Sequence, residues 1–325
     1  MVLNWGICCV GKISNDFTSA FCEFADPSIK IVAVAARDKQ QAREFAERYD
    51  IESFFGCYEK LAQCSNVDVV YVGSIDSEHC KLSKLFLSHG KHVLVEKPMG
   101  TSVKETNEMI NLAREKKLFL MEGLWTRCFP LYIEIKNQIL NGSVGSVQHV
   151  NASFQIDIGK FKKTKIEALR GIGIYTIQLA LWAFCDRKCI NSSSNFKWEN
   201  ENDIAGTILL EFEGDGTAFL NYHSHVNGDT SASIIGNSGK ITIPKEFWCP
   251  EEYSINGKLD KSFKLERRKE SVNYIYCNSW YFIHEINHVS QCIKNGMLES
   301  DLHPLKNTLE IANILEMLIT EGRKP

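Results

Sequence analysis

Short, almost continuously apolar runs alternate with helical segments from residue 4 to about residue 125, and this alternation constrains the fold more than any other feature. Apolar strands are predicted at residues 4–10, 30–37, 67–73 and 91–95. Strands that alternate with helices form parallel sheets, and parallel strands covered on both faces are apolar along their whole length. The sequence therefore predicts an α/β domain with a doubly wound parallel sheet of the Rossmann type over residues 1–125.

The remainder, residues 126–325, has a different pattern. After a helix near Pro130, strands with alternating apolar residues dominate, as at 203–213 and 216–226, and two helices close the chain. Alternation of this kind is typical of antiparallel strands with one covered face. We predict a C-terminal α+β domain with a large open, mainly antiparallel sheet, whose last helices are free to pack back on the first domain.

Composition excludes several functional classes. The net charge is −3 and no long block of one sign occurs, which disfavours nucleic acid or an anionic membrane as a partner. No window approaches the ~20 apolar residues that a spanning helix needs. The N-terminus lacks the basic and apolar regions of a signal peptide, so we expect a cytoplasmic protein.

No metal site is predicted. The 12 cysteines contain no Cys-x-x-Cys pair and are expected to be reduced thiols. Cys185 and Cys189 have no further ligand nearby in the sequence. His223 and His225 alternate onto one strand face, also without a third ligand, so we interpret them as structural or exposed.

A glycine pair lies between the first strand and the first helix, where a Rossmann fold turns under a pyrophosphate. It consists of Gly6 and Gly11, and Ile13 follows in the helix. Counted from Gly6, the middle glycine of the full fingerprint is Cys8. The pair is either a structural turn or a cofactor loop, and the strand–helix–strand context favours the cofactor. Ser14 or Asn15 is expected to cap the helix.

The end of the second strand bears on the choice of cofactor. NAD-dependent dehydrogenases place an acidic residue there for the ribose 2′-hydroxyl, whereas this chain has Arg37 followed by Asp38. An arginine can pair with a 2′-phosphate. This pattern favours NADP over NAD, while Asp38 is also expected to cap the next helix.

Several separate stretches together carry a family resemblance. Glu96-Lys97-Pro98 follows the strand VLV, and the other stretches read NWGICCVGKISNDF, VAVAARD, LFLMEGLWTRCFP, GIGIYTIQ and FWCP. In this order the chain resembles the glucose–fructose oxidoreductase/inositol dehydrogenase superfamily. Within it, the chain is most similar to the dimeric dihydrodiol dehydrogenases, also described as NADP-linked D-xylose dehydrogenases. The resemblance implies a homodimer formed through the faces of the C-terminal sheets.

The resemblance also assigns roles to particular residues. Lys97 matches the active-site lysine and Tyr175 the proposed catalytic tyrosine. Ser74 and His79, in SIDSEH, fit the loop on the cofactor side, and Glu96 belongs to the cofactor-binding Glu-Lys-Pro motif. From the residues alone, Lys97 could be a surface lysine in a turn, and Tyr175 could be a core residue with a hydrogen bond.

The substrate pocket is implied to be aromatic. Trp125, Phe154 and Trp248 match its lining residues, although large aromatic residues are more often simply core. Arg127 could meet a phosphate or a substrate oxygen, or form a structural salt bridge. Aromatic surfaces suit a ring-bearing substrate better than a chain acid.

One departure from the family motif concerns catalysis. The motif Gly-Gly-x-x-x-Asp-x-Gly-x-Tyr aligns with residues 166–175, where the aspartate is replaced by Gly171. The two leading glycines are replaced by Ile166 and Glu167. Two functions remain open. The first is an NADP-dependent dehydrogenase that moves a hydride from a cyclic vicinal diol, pentose or hexose. The alternative is a catalytically reduced NADP-binding protein.

Overall fold

The computed structural model describes residues 2–158, 167–269 and 272–322. The chain forms two compact units. The N-terminal unit comprises Met1–Cys128 and Leu265–Leu309, and the C-terminal unit comprises Phe129–Lys264 and Glu310–Pro325.

A six-stranded parallel sheet forms the centre of the N-terminal unit. Its strands are β1 (Leu3–Cys8), β2 (Ile29–Ala35), β3 (Ser53–Phe55), β4 (Val69–Val72), β5 (His92–Glu96) and β6 (Leu120–Gly123). Their order is β3-β2-β1-β4-β5-β6, and every neighbouring pair is parallel. This order confirms the predicted doubly wound Rossmann fold. The strand order reverses between β1 and β4, which places a binding crevice beyond their carboxyl ends.

Five helices connect these strands. They are α1 (Lys12–Phe24), α2 (Lys39–Tyr49), α3 (Tyr58–Ala62), α4 (Asp76–Ser88) and α5 (Val103–Lys116). The prediction that Ser14 or Asn15 caps α1 is wrong, because the N-cap residue is Gly11 and no side chain caps the helix. The Ser14 hydroxyl instead donates to the carbonyl of Gly73 at 3.3 Å. By contrast, Asp38 caps α2 as predicted, accepting from the amide of Gln40 at 2.8 Å.

An eight-stranded sheet dominates the C-terminal unit. Helices α6 (Pro130–Leu140) and α7 (Ile174–Ala183) accompany strands β7 (Val147–Gln155), β8 (Cys189–Glu199), β9 (Asn202–Phe212), β10 (Gly216–His223), β11 (Ala232–Gly236), β12 (Lys240–Ile243), β13 (Glu252–Ile255) and β14 (Lys258–Ser262). The strand order is β14-β13-β12-β11-β7-β10-β9-β8, in which β7 and β10 are parallel and the other pairs antiparallel. The predicted open, mainly antiparallel sheet is confirmed.

Two helices close the chain, α8 (Phe282–Lys294) and α9 (Leu305–Gly322). Helix α8 belongs to the N-terminal unit, where the indole of Trp5 donates to Ser290 at 3.3 Å. Over residues 2–158, 167–269 and 272–322, no helix has both the length and the apolar character needed to cross a membrane.

Two carboxylates on α1 hold the segment that precedes α8. Asp16 accepts from the amides of Ile275 and Tyr276, at 2.9 and 2.8 Å. Glu23 accepts from the guanidinium of Arg267 at 3.0 Å, and also from the Tyr274 hydroxyl and the amides of Arg268 and Lys269. Burial opposes ionisation of Glu23, but these donors together hold its pKa below the ordinary value. Residues late in the chain thereby complete the first unit.

Candidate active site

The turn after β1 is made by Cys9, a residue the sequence analysis did not single out. Its φ of +75° lies in the left-handed region that favours glycine. The pKa of Cys9 is lowered, first by its hydrogen bond to the Cys8 thiol and then by Tyr58, whose hydroxyl lies 3.2 Å from Sγ. Gly6 lies inside β1, where a Cβ would meet Leu61 at 3.1 Å. The tight turn is therefore at Cys9 rather than at Gly6.

The amino end of α1 is open to an anion. Its N-cap residue, Gly11, has no side chain to cap the helix, and the first turn carries no acidic residue. Gly11 is exposed, and a Cβ there would approach only the carbonyl of Gly73, at 3.9 Å. Ile13 is half-buried in the first turn. Unpaired backbone amides at a helix N-terminus, next to a residue without a side chain, suit a pyrophosphate.

A neighbouring glycine makes this turn possible. A Cβ on Gly73, at the end of β4, would lie 2.4 Å from the Ser14 hydroxyl and 2.7 Å from the Tyr71 ring. The sequence analysis counted the fingerprint from Gly6, but counting from the turn at Cys9 makes its positions Cys9, Gly11 and Ser14. Ser14 thus occupies the position where the third glycine usually allows close packing of helix and strand. Helix α1 and strand β4 can still approach closely here, because Gly73 on the strand side has no side chain.

Arg37 and Asp38 follow β2, at the same edge of the sheet. Both are exposed. The Asp38 carboxylate is engaged as the cap of α2, whereas Arg37 makes no ion pair with any residue that the structure describes. The Arg37 guanidinium is therefore available to an anionic group, whereas one oxygen of the Asp38 carboxylate is already hydrogen-bonded to Gln40.

His79 joins two loops at the carboxyl edge of the sheet. Its Nδ1 lies 2.8 Å from the carbonyl oxygen of Pro98, and its Nε2 lies 3.1 Å from that of Ser74. Burial lowers the pKa of His79, although the two carbonyls oppose this shift. The side chain thus connects the half-buried Ser74, after β4, to the Lys97-Pro98 turn after β5.

Lys97 is half-buried directly after β5. Burial lowers its pKa, against the opposing effect of the Glu96, Asp76 and Glu122 carboxylates. Glu96 is itself buried and accepts a 2.8 Å hydrogen bond from the Tyr71 hydroxyl; burial raises the pKa of this carboxyl. A lowered pKa makes a lysine easier to deprotonate, which favours its use as a general acid or base.

Two buried residues support the Lys97 turn and were missed by sequence reasoning. Glu122 on β6 accepts from the amide of Met99 at 2.9 Å, and its other oxygen lies 3.0 Å from Nε2 of His303. His303 and Glu122 are 181 positions apart in the sequence, so no local pattern could have paired them.

Trp125 and Arg127 lie in a 3₁₀ turn that follows β6. Trp125 stacks on Phe282 with ring centroids 4.7 Å apart, and it is 7% exposed. Arg127 is 4% exposed. Both are buried within the N-terminal unit at the end of the strand next to Lys97.

The other predicted aromatic residues gather in the C-terminal unit. Phe154 stacks on Trp248 with centroids 3.8 Å apart, and its ring centroid is 5.6 Å from that of Tyr175. All three are buried, with exposed fractions of 4%, 8% and 8%. The structure therefore brings Phe154, Trp248 and Tyr175 into one cluster at the start of α7.

The altered motif forms a π-helical turn, Leu169–Gly173, ahead of α7. Gly171 leaves no carboxylate at its position, and Ile166 lies outside the described residues. Asp203 on β9 instead reaches this turn, accepting from the Leu169 amide at 2.7 Å and from the Tyr222 hydroxyl at 2.6 Å. Burial raises the pKa of Asp203.

Comparison with known proteins identifies the family. Residues 3–124 match the family described as "Oxidoreductase family, NAD-binding Rossmann fold", and residues 132–242 match the "GFO/IDH/MocA C-terminal domain". The chain belongs to the GFO/IDH/MocA oxidoreductase family. The resemblance inferred from the Glu-Lys-Pro motif and its companion stretches is thereby confirmed.

Two named relatives match this chain over nearly its whole length. A trans-1,2-dihydrobenzene-1,2-diol dehydrogenase from Homo sapiens is 34% identical over 322 residues, covering 97% of this chain and 96% of its own. The protein of the same name from Xenopus tropicalis is 32% identical over 322 residues, covering 97% of each.

Solved GFO/IDH/MocA-like structures share the fold. An aldose-aldose oxidoreductase from Caulobacter crescentus superposes with a TM-score of 0.84 at 19% identity, covering 99% of this chain and 97% of that chain. A 3-ketoreductase from Actinomadura kijaniata, in complex with NADP and TDP-benzene, gives 0.82 at 21% identity, covering 98% of both. At such identities the likeness establishes the fold alone, and the family establishes an NAD(P)-dependent oxidoreductase.

Proposed function

We propose that this protein is an NADP-dependent dehydrogenase that oxidises a cyclic vicinal diol or a sugar, with Lys97 as its principal proton-transfer group. The observation that carries the proposal is the half-buried Lys97, whose pKa is lowered, directly after β5 in an NAD-binding Rossmann unit. Perturbed titratable groups at the carboxyl edge of such a sheet are candidates for catalysis.

The choice of NADP rests on the end of β2. Arg37 is exposed and makes no ion pair with the described residues, so it can form a charge-assisted fork with a 2′-phosphate. The Asp38 carboxylate is engaged with the amide of Gln40, which disfavours its use as a ribose ligand. Gly11, Ile13 and the first amides of α1 would hold the pyrophosphate, and Ser74 and His79 would line the nicotinamide side.

The aromatic residues point to a ring-bearing substrate. Phe154 and Trp248 present stacked rings beside Tyr175, and the named relatives are diol dehydrogenases. Arg127 and Trp125 would supply further contacts to the substrate. Bound NADP supplies the hydride acceptor. Lys97 would take the hydroxyl proton, and Tyr175 would relay or orient it.

A second candidate function is that of an NADP-binding protein with reduced catalysis. Its support is Gly171, which leaves the motif without its carboxylate, while Asp203 is committed to Leu169 and Tyr222. A binding protein of this kind keeps the dinucleotide site and shows no turnover.

A homodimer in the cytoplasm is also proposed. Within the described part of the chain, α7 covers only one face of the C-terminal sheet. The opposite face carries the largely polar set His149, Asn151, Ser153, Thr217, Phe219 and Asn221. Cross-strand bonds order this face, including 2.7 Å contacts from His149 to Thr217 and from Asn221 to Ser153. A second copy offers the same surface, as a two-fold interface requires.

Turnover of a panel of cyclic diols, pentoses and hexoses, followed as NADPH formation, tests the function. We expect Lys97→Met to lower kcat by roughly 10²–10⁴-fold while NADPH affinity, measured by nucleotide fluorescence, stays close to that of the wild type. Lys81→Met, which removes an exposed lysine on α4, is the matched control. Turnover that survives Lys97→Met would overturn the site assignment. A wild type that binds NADPH but is inactive on the whole panel would support the second candidate.

A further inference from the structure

Three potential metal ligands converge where α8 meets the turn ahead of α9, and none of them is among the residues assigned above. His288 and Cys292 occupy positions i and i+4 of α8, so they share one face of the helix. Asp301 lies in the turn ahead of α9. The Nε2 atom of His288 lies 3.5 Å from Sγ of Cys292 and 3.7 Å from Oδ1 of Asp301.

The imidazole of His288 already has the tautomer that a metal needs. The Ser300 hydroxyl oxygen accepts from the amides of Leu302 and His303, at 3.1 and 2.9 Å. Its own hydrogen is then directed to Nε2 of His288, 2.7 Å away. Nε2 is therefore an acceptor and the ring proton is on Nδ1, so a metal would take the Nε2 lone pair in place of the Ser300 hydrogen.

We propose that His288, Cys292 and Asp301 form a binding site for a divalent transition-metal ion of the zinc class. Zinc bonds of about 2.0–2.3 Å in tetrahedral geometry place neighbouring ligand atoms roughly 3.4–3.6 Å apart. The separations of Nε2 from the sulfur and from the carboxylate are close to this. All three ligand atoms lie within 4.8 Å of one another, and the Asp301 side chain is 70% exposed, so its carboxylate can turn inward.

The chemistry of the three donors selects the metal. A thiolate, an imidazole and a carboxylate together suit zinc and its spectroscopic substitute cobalt, whereas magnesium and calcium prefer oxygen ligands alone. A surface cavity of about 350 Å³ borders the cluster at Asp301 and is lined by Met297, Ser300 and Asp301 among others. A water molecule or a small external ligand can enter there, as in a three-ligand site with an open position.

The site would act on the loop that supports the active-site turn. Ser300 holds the His303 amide, and the His303 ring contacts Glu122, which accepts from Met99 beside the Lys97-Pro98 turn. A metal bound to His288 and Asp301 would link α8 to this loop. Because the ion binds the folded chain, it would stabilise the N-terminal unit by mass action.

Cobalt and zinc titrations of the full-length, chelator-treated and reduced protein test the site. We expect one equivalent of cobalt to give visible bands of a tetrahedral ion and a near-ultraviolet thiolate-to-cobalt band, all displaced by zinc. Cys292→Ser should remove the thiolate band. His288→Asn and Asp301→Asn should weaken zinc binding by more than the roughly 10–100-fold that is typical for loss of an outer-shell partner.

Cys22→Ser is the matched control, because this exposed thiol on α1 lies outside the cluster; it should leave the spectrum unchanged. Asp301 is exposed, so Asp301→Asn keeps the test valid if a buried substitution unfolds the chain. Zinc should raise the Tm of the wild type and not that of Asp301→Asn. A thiolate band that persists in Cys292→Ser, or zinc affinity and Tm shifts that are the same in Asp301→Asn and wild type, would overturn the proposal.

Discussion

Arg37 stands exposed at the edge of the sheet beside a carboxylate that is engaged as a helix cap. We expect Arg37→Ala to weaken NADPH binding by about 10- to 150-fold, the loss of a charge-assisted contact of about 1.5–3 kcal/mol, while NADH binding changes little. Fluorescence titration with both nucleotides measures the effect. Arg43→Ala, on the exposed face of α2, should change neither affinity. Equal NADPH and NADH affinities in the wild type would contradict the NADP assignment.

Glu285 is a buried carboxyl whose protonation should affect stability. It is fully buried on α8, and neither oxygen has a hydrogen-bond partner among the described residues. Burial raises its pKa well above the ordinary value, and the nearby Glu96 and Glu122 raise it further. The folded state therefore binds this proton more tightly than the unfolded state does, so the free energy of unfolding falls as pH rises from the unfolded pKa towards the folded one.

Glu285→Gln should remove this pH dependence. Relative to the wild type, we expect the variant to gain stability as pH rises above the unfolded pKa of about 4.3, by about 1.4 kcal/mol for each unit of pKa shift relieved. Urea unfolding at several pH values measures the difference. Glu115→Gln changes an exposed position on α5, and its free energy of unfolding should depend on pH as that of the wild type does. If the free energy of unfolding of Glu285→Gln also follows the pH dependence of the wild type, the Glu285 carboxyl has an ordinary pKa.

At the scale of the secondary-structure element, the turn from β1 to α1 differs most from what the sequence predicted. Cys9 holds a φ of +75°, which costs a residue with a Cβ about 1–2 kcal/mol relative to glycine. We expect Cys9→Gly to be more stable than Cys9→Ala by about that amount, since both remove the thiol and differ only in the Cβ. Thermal or urea unfolding compares the two. Equal stabilities would mean that the turn is not strained.

Periodicity predicted the buried elements and failed on the exposed ones. The apolar runs at 67–73 and 91–95 became β4 and β5, whereas β8 and β14 were missed. Strand β14, Lys258–Ser262, is exposed at every residue, and β8 is polar along most of its length at the sheet edge. Such strands are defined by backbone pairing with a neighbour, which leaves little hydrophobic signal.

The candidate site was predictable where it lies on local motifs and not where it depends on distant partners. The positions of Lys97 and Arg37 after their strands follow from the strand–helix alternation. The supports from Glu122, His303 and Asp203 arise only when strands and helices far apart in sequence pack together. Likewise, the sequence analysis counted the glycine fingerprint from Gly6, whereas the turn is made by Cys9, so only the backbone angle revealed its position.

At the scale of the whole molecule, the uncovered sheet face determines the proposed assembly. Phe219 is 54% exposed on this face, and its ring meets that of His149 edge-on at 4.9 Å. We expect Phe219→Glu to shift the protein from dimer to monomer at micromolar concentration in sedimentation velocity, because a charge would be buried at the interface. Leu259→Glu, at a position on β14 that is 64% exposed, should remain dimeric. A monomeric wild type would contradict the assembly.

The contacts of Asp16 and Glu23 with residues 267–276 have a consequence for biosynthesis. A nascent chain that has emerged only as far as Cys128 holds every strand of the parallel sheet, but it has none of the donors that neutralise these two α1 carboxylates. It also lacks the Ser290 hydroxyl, which accepts a hydrogen bond from the indole of Trp5. The unit that is translated first therefore stays incomplete until its second segment, Leu265–Leu309, has been synthesised. Until the ribosome has delivered α8, the partially formed sheet must be protected by chaperones or by its own transient packing.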